Sequence, residues 1–156
     1  MAGMRVGVIS DTHGLLRPEA VTALEGVDHI LHTGDVGDPS ILEELREIAP
    51  VTAIRGNIDR TGPCARLPAT DVVELGGITF HMLHDVKDLD LDPRSAGIDV
   101  VVSGHSHQPG VERRKGVLFL NPGSAGPRRF SLPVTVARVT VGDGEVKAEI
   151  IELLSQ

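Results

Sequence analysis

Seven side chains of the kinds that bind metal ions occur in five short segments of this 156-residue chain. The segments are Asp11-Thr12-His13, Gly34-Asp35, Gly56-Asn57, His84 and Gly104-His105-Ser106-His107. Imidazoles and carboxylates without thiolates suit manganese, iron, zinc, cobalt or nickel, whereas magnesium and calcium prefer shells of oxygen alone. Seven candidate ligands exceed the four that one tetrahedral zinc ion takes, so they predict two ions that share a bridging group.

A pair of divalent ions indicates chemistry at phosphorus. Two ions roughly 3.5–4 Å apart can hold both the attacking and the leaving oxygen of an in-line displacement. Two such cations, the carboxylates of Asp11 and Asp35 and a bridging hydroxide together leave one net positive charge. Because a phosphodiester carries a single negative charge, the sequence predicts hydrolysis of a small phosphodiester by a metal-bridging hydroxide.

Each of the five segments directly follows a short apolar run. The runs cover residues 4–9, 28–32, 51–54, 78–83 and 98–102. Runs of this length that are rich in Val and Ile are typical of buried strands. Ligand sites in α/β proteins lie at the carboxyl ends of the strands. We therefore expect the seven side chains to meet at one edge of the fold.

The segments between the first three runs predict helices. Pro18 begins one helix over residues 18–24, and Asp38-Pro39 supplies the N-cap and first residue of a second. The second helix has an apolar face made of Ile41, Leu42, Leu45 and Ile48. Strands that alternate with helices indicate parallel pairing with right-handed crossovers.

The second half of the chain has more strand patterns. Residues 72–75 and 78–83 predict a hairpin about Gly76-Gly77, and residues 117–120 predict a further strand. Residues 133–141 and 145–153 predict a closing hairpin about Gly142-Asp143-Gly144. We expect one α/β domain over residues 1–156, with two sheets and the helices outside.

The composition excludes several classes of protein. The chain has no apolar run of the roughly 20 residues that cross a bilayer, and its one cysteine, Cys64, rules out an internal disulfide. Residues 1–10 are not expected to be a secretory signal, because they lack an extended apolar stretch with a cleavage site. We therefore expect a cytoplasmic protein. The net charge of −7 and the absence of Trp and Tyr disfavour nucleic acid as a partner, because phosphate backbones need cations and unpaired bases stack on aromatic rings.

Together, the five segments resemble the calcineurin-like metallophosphoesterases, in particular the small bacterial and archaeal phosphodiesterase branch, which in eukaryotes includes the small retromer subunit. The short length and Asn121-Pro122-Gly123-Ser124 also resemble that branch. The resemblance extends over residues 4–153. It implies a four-layer αββα sandwich of two mixed β-sheets flanked by helices, with a two-metal site at one edge, and homo-oligomers occur among such proteins.

The resemblance also implies a role for each ligand. Asp11, His13 and His107 would hold the first metal, Asn57, His84 and His105 the second, and Asp35 would bridge both. Asn57 would bind through its carbonyl oxygen and use its NH2 group to donate to a phosphoryl oxygen, which makes it the candidate catalytic residue. Manganese is the expected ion, with nickel, zinc, iron or cobalt as alternatives.

Two positions depart from the pattern of the family. Ile58 stands where many members have a histidine and members of the small branch often have a cysteine, and Ile cannot donate a proton to a leaving group. We therefore expect a preference for diesters with good leaving groups, since general acid catalysis contributes about 10²–10⁴-fold. Asp85 stands where glycine usually follows the histidine, and it would orient an imidazole or crowd the entrance.

Alternative interpretations stay open. A non-catalytic binding or scaffold protein of the same fold is the main alternative function. His81 competes with His84 as a ligand, although strand alternation places the two on opposite faces. His29 and His32 are expected to be structural, and Asp59 and Arg60 to form a surface pair. The basic clusters Arg113-Arg114-Lys115 and Arg128-Arg129 are expected on loops.

Overall fold

The computed structural model describes residues 3–129 and 131–154, so the ends of the predicted domain over residues 1–156 lie outside the described residues. Within these described residues there are two α-helices, α1 (Pro18–Ala23) and α2 (Pro39–Arg46). The strands are β1 (Met4–Ile9), β2 (His29–His32), β3 (Val51–Ala53), β4 (Thr70–Leu75), β5 (Ile78–Leu83), β6 (Val100–Val102), β7 (Gly110–Arg114), β8 (Val117–Asn121), β9 (Thr135–Gly142) and β10 (Glu145–Glu152). The predicted α/β class with two mixed sheets is confirmed.

The strands form two five-stranded sheets. The first sheet has the order β10-β9-β1-β2-β3, in which β1, β2 and β3 are parallel and β9 and β10 are antiparallel additions. The second has the order β4-β5-β6-β8-β7, in which β5, β6 and β8 are parallel. Each sheet therefore has a parallel centre whose strands end at one edge, as the alternation of strands and helices predicts for the first sheet.

The main core lies between the two sheets. Val and Leu side chains from both sheets pack there around Phe80 and Met82, and both of these side chains are fully buried. A second apolar layer joins the outer face of the first sheet to α1 and α2. On the outer face of the second sheet, a 3-10 helix (Val86–Asp88) and the segment that follows it occupy the fourth layer, and Leu89 packs on Val101 there.

Local sequence explains the helices. Pro39 occupies the first turn of α2, and the side chain of Asp38 caps the helix by accepting a hydrogen bond from the Ser40 N–H at 2.9 Å. Ile41, Leu42 and Leu45 are buried, as predicted, whereas Ile48, the fourth residue of the predicted apolar face, lies beyond the end of α2 and is half-buried. Among the described residues, no helix has the length and apolar character that a membrane crossing requires.

One predicted loop is a strand. Arg113 and Arg114 were expected on a loop, but they lie in β7, which pairs with β8 along its whole length. All five residues of β7 are exposed because it is an edge strand, so the sequence lacks the apolar alternation that identifies a strand. Arg114 binds Glu112 at 2.9 Å, and its guanidinium lies 4.9 Å from the centre of the Phe119 ring.

Candidate metal centre

The seven candidate ligands lie at the carboxyl ends of parallel strands. In the first sheet, Asp11 and His13 follow β1, Asp35 follows β2 and Asn57 follows β3. In the second sheet, His84 follows β5, and His105 and His107 follow β6. Because the sheets pack face to face with these strand ends at one edge, ligands from both sheets meet there.

Three of these side chains, all imidazoles, surround Oδ1 of Asp11 or Oδ2 of Asp35. Nε2 of His107 lies 3.4 Å and Nε2 of His13 3.7 Å from Oδ1 of Asp11. Nε2 of His13 is also 3.5 Å from Oδ2 of Asp35. Nε2 of His84 lies 3.3 Å from the same Asp35 oxygen and 3.8 Å from Oδ1 of Asp11. The atoms form two overlapping groups that could each hold a cation: Asp11, His13 and His107, and Asp11, Asp35 and His84.

Asn57 and His105 form a separate pair beside these groups. Oδ1 of Asn57 lies 3.2 Å from Nδ1 of His105, and the His105 ring packs edge-on against His84 with the ring centres 5.2 Å apart. The structure therefore brings the predicted second set of ligands close together, and it also groups His84 with Asp11, which the resemblance assigns to the first metal. His81 faces the other side of β5, away from the Phe80 and Met82 side of the sheet.

Several donor atoms at this edge are buried without a partner. Among the described residues, Oδ1 of Asp11, Nε2 of His13 and Nε2 of His84 are buried and make no hydrogen bond. Such atoms are rare in folded proteins because each one loses its hydration without compensation. A cation coordinated by these atoms removes that cost, so the residues present fit a metal ion.

The backbone at this edge is strained. Five of the seven candidate ligands have a positive φ, which residues other than glycine seldom adopt. They are Asp11 (55°), His13 (47°), Asp35 (55°), His105 (70°) and His107 (63°). Strain of this kind persists where the surrounding structure holds it and concentrates at functional sites.

Glycines allow the loops to approach the ligands closely. A Cβ atom on Gly104 would lie 2.6 Å from Oδ2 of Asp11, and one on Gly34 would lie 2.7 Å from Nδ1 of His84. A Cβ atom on Gly56 would collide with the carboxylate of Asp35. Each glycine thus leaves room for a ligand from a different strand.

Hydrogen bonds orient the ligands. Nδ1 of His84 lies 2.7 Å from the carbonyl oxygen of Thr33, so it donates there and directs Nε2 at Asp35. Oδ2 of Asp11 accepts from the Ser10 hydroxyl at 2.7 Å and from the His105 N–H at 3.0 Å. Oδ1 of Asp11 remains free for a cation.

The Asn-Pro-Gly-Ser segment braces two ligand loops. The Asn121 amide donates to the carbonyl oxygen of Gly104 at 3.0 Å and to the Ser106 hydroxyl at 3.2 Å. The Ser124 hydroxyl donates to the backbone carbonyl of Asp11 at 3.0 Å. The segment therefore holds the loops that carry Asp11, His105 and His107.

Asp59 has a role that the sequence interpretation missed. Instead of the expected surface pair with Arg60, its carboxylate is buried and accepts hydrogen bonds from the N–H groups of Val36, Gly37 and Gly56 at 3.1, 3.1 and 2.8 Å. Arg60 donates to the backbone carbonyl of Asn57 instead. The nearby glycines, Gly37 and Gly56, are the sequence signal that could have indicated this role, because glycine-containing loops expose backbone N–H groups that a carboxylate can accept from.

His32 is buried beneath the site, as its structural assignment predicts. The N–H of Gly34 donates to Nδ1 of His32 at 3.2 Å, so Nε2 carries the proton and donates to the Thr12 hydroxyl at 3.1 Å. That hydroxyl donates to the carbonyl oxygen of Val36 at 2.8 Å. Burial lowers the pKa of His32 to about 4, and the ring is neutral at pH 7.

The carboxylates and His84 stabilise one another's charges. Burial alone raises the pKa of Asp11, but the contacts with His107 and His13 and the Ser10 hydrogen bond lower it further than burial raises it. Burial also raises the pKa of Asp35, and His84 and the Ile58 N–H together lower it below the ordinary value. For His84, burial lowers the pKa, but Asp35 and the Thr33 carbonyl raise it to about 9. Without a cation, a proton on His84 therefore neutralises part of this negative charge.

The chain belongs to the calcineurin-like phosphoesterase superfamily, because the domain of that family matches residues 4–144. It is 39% identical to a probable metallophosphoesterase of Methanothermobacter thermautotrophicus, over 95% of this chain and 92% of the relative. A novel archaeal phosphodiesterase of known structure has a TM-score of 0.78 and 25% identity, and the match covers 95% of this chain and all of the other.

The fold is shared more widely. Vacuolar Protein Sorting 29 of Cryptosporidium parvum has a TM-score of 0.77 and 23% identity, with 97% of this chain and 98% of that chain covered. At this identity, the likeness extends to the fold alone. The family and the named metallophosphoesterases support metal-dependent hydrolysis of phosphate esters as the general class of activity.

Proposed function

We propose that this protein is a phosphodiesterase that uses two divalent cations. The observation that carries the proposal is the cluster of buried donors without hydrogen bonds, Oδ1 of Asp11, Nε2 of His13 and Nε2 of His84. A protein that never binds cations here would bury these atoms with only the proton on His84 as partial compensation. Manganese is the expected ion, with nickel, zinc, iron or cobalt as alternatives that the same nitrogen and oxygen donors accept.

The ligands divide between two positions. Asp11, His13 and His107 would hold the first cation, Asn57, His84 and His105 the second, and Asp35 would bridge both. The distances of 3.2–3.7 Å between ligands assigned to the same position support the assignment, because ligands of one ion lie close together. When bound, the cations lower the pKa of water to give a nucleophile at neutral pH and withdraw charge from the phosphoryl group.

Asn57 contributes through both atoms of its amide. Its Oδ1 faces His105 and the second cation position, so its exposed Nδ2 group is left to donate to a phosphoryl oxygen. Nε of Arg60 donates a hydrogen bond to the backbone carbonyl oxygen of Asn57 at 2.9 Å, which stabilises the loop. The amide would therefore stabilise the charge that develops on the phosphoryl group.

The cleft beside the second position favours diesters. It has a volume of about 330 Å³, and Arg55, Asp85 and Asp88 are the charged residues other than His that line it. The two carboxylates disfavour the second negative charge of a monoester. Ile58 is 44% exposed, and its backbone N–H binds Oδ1 of Asp35 at 3.1 Å, but its side chain offers no proton. Diesters with good leaving groups are the expected substrates.

A binding or scaffold protein is the second candidate, because the Vacuolar Protein Sorting 29 structures share the fold. The complete set of seven ligands favours the enzyme. Metal analysis of protein purified without chelator separates the two candidates: a scaffold with a vestigial site would contain almost no metal and would not be stabilised by added Mn²⁺. A cytoplasmic location and a homo-oligomeric state belong to the proposal as further expectations.

The proposal is tested by hydrolysis of bis-(p-nitrophenyl) phosphate with added Mn²⁺. We expect turnover by the wild-type protein and a loss of about 100-fold or more in His107→Ala, since metal ions contribute several kcal/mol to the transition state. His29→Gln is the matched control, because His29 begins β2, at the end of the strand opposite to Asp35, and its ring contacts Thr52. Equal rates for the wild type and His107→Ala would contradict the proposal.

A further inference from the structure

Asp85 contacts the most exposed of the candidate ligands. Oδ2 of Asp85 lies 3.7 Å from Nε2 of His105, while Nδ1 on the other side of the same ring lies 3.2 Å from Oδ1 of Asn57. The imidazole therefore stands between a carboxylate and the second cation position. Asp85 directly follows His84 in the chain, but the imidazole that its carboxylate contacts is that of His105.

The local structure aims the Asp85 carboxylate. Its Oδ1 caps the 3-10 helix Val86–Asp88 by accepting a hydrogen bond from the Lys87 N–H at 3.0 Å. That bond leaves Oδ2 directed to His105. The distance of 3.7 Å is longer than a hydrogen bond, but the side chains are 47% and 27% exposed, so small rotations can bring the atoms together.

The other imidazoles at the site have different means of support. Nδ1 of His84 donates to the Thr33 carbonyl, and His13 and His107 pack on each other with ring centres 5.3 Å apart. The side chain of His105 is 47% exposed, and its edge-on packing against His84 does not decide which nitrogen carries the proton. A carboxylate beside Nε2 does decide this, because it accepts the Nε2–H and leaves Nδ1 with the lone pair.

We propose that Asp85 is a positioning residue that favours a proton on Nε2 of His105 over one on Nδ1, where Oδ1 of Asn57 would accept it, so that Nδ1 is free to bind the second cation. This inference rests on the proposed function. In the Asp85→Asn variant, the amide can still cap the 3-10 helix, but its NH2 group donates to Nε2 and favours the proton on Nδ1. That proton would point at the cation position and oppose binding.

Calorimetric titration of metal-free protein with Mn²⁺ tests the inference. We expect two binding steps in the wild type and a 10- to 100-fold weaker second step in Asp85→Asn, with the first step unchanged. Asp88→Asn is the matched control, because Asp88 lines the same cleft with the same charge but lies in the 3-10 helix that Asp85 caps. Both steps should stay unchanged in that variant.

A second measurement does not depend on activity or on metal. In metal-free protein, Oδ1 of Asn57 and Oδ2 of Asp85 compete for the ring proton of His105. Nitrogen-15 NMR should therefore show a larger fraction of the Nε2–H tautomer in the wild type and in Asp88→Asn than in Asp85→Asn. Equal Mn²⁺ affinities and equal tautomers in the two variants would overturn the role of Asp85 while the proposed function stands. A wild-type protein that binds no Mn²⁺ would overturn the proposed function, and this inference with it.

Discussion

Oδ2 of Asp35 lies 3.3 Å from Nε2 of His84, and this contact joins the end of β2 in the first sheet to the end of β5 in the second. The hydrogen bond between Nδ1 of His84 and the Thr33 carbonyl is a second link between the same two strand ends. The candidate centre is therefore complete only when the sheets are packed together. Ligands that bind it should stabilise the whole domain.

Metal removal should lower the melting temperature. A cation that binds only the folded protein adds RT ln(1 + [L]/Kd) to the free energy of unfolding, about 2.7 kcal/mol at a concentration 100 times Kd. Thermal unfolding with EDTA should therefore occur at lower temperature than with excess Mn²⁺, and His107→Ala should show a smaller difference. An identical melting curve with and without EDTA in the wild type would count against bound metal.

Gly104→Ala should destabilise the protein and disturb the site. The added Cβ would lie 2.6 Å from Oδ2 of Asp11 and would collide with the Ser10 hydroxyl, so the Asp11 carboxylate must move. We expect a loss of about 1–3 kcal/mol in the free energy of unfolding and weaker Mn²⁺ binding.

Gly110→Ala is the matched control for that substitution. Gly110 lies in β7, where a Cβ atom meets no other atom within 4 Å. Its free energy of unfolding should change by no more than about 0.5 kcal/mol. Denaturant unfolding of both variants measures the difference, and a Gly104→Ala protein as stable as Gly110→Ala would be inconsistent with the close approach of the two loops.

The strands and the ligands at their carboxyl ends could be predicted from the sequence, but the hydrogen bonds of the loops that follow them could not. Short apolar runs before Asp11, Asp35 and His105 identify strands whose carboxyl ends carry ligands, because burial selects Val and Ile there. The carboxylate of Asp59 accepts three backbone hydrogen bonds, and Asp85 contacts His105. Both arrangements depend on loop conformations with positive φ. Loop conformations of this kind have no periodic pattern in the sequence.

Buried His32 should make the protein less stable in acid. Its pKa is about 4 in the folded protein and 6.5 in the unfolded chain, because burial disfavours the charged ring. Between these values the unfolded chain binds the proton and the folded protein does not. Protonation of His32 therefore leaves the free energy of unfolding unchanged above pH 6.5 and lowers it as the pH drops toward 4, by about 3 kcal/mol in total.

His32→Gln isolates this contribution. We expect the free energy of unfolding of the metal-free variant to fall less steeply than that of the wild type between pH 6.5 and 4, whatever its absolute value. Denaturant titrations in EDTA across that range provide the measurement. Parallel curves for the two proteins would show that His32 takes up its proton equally in the folded and unfolded states.

The most direct test of the two-cation centre is anomalous diffraction from crystals grown with Mn²⁺. The account predicts two peaks, one in contact with Asp11, His13 and His107 and the other with Asn57, His84 and His105, with Asp35 between them. The absence of any peak at this edge of the sheets, or peaks bound by other residues, would contradict it.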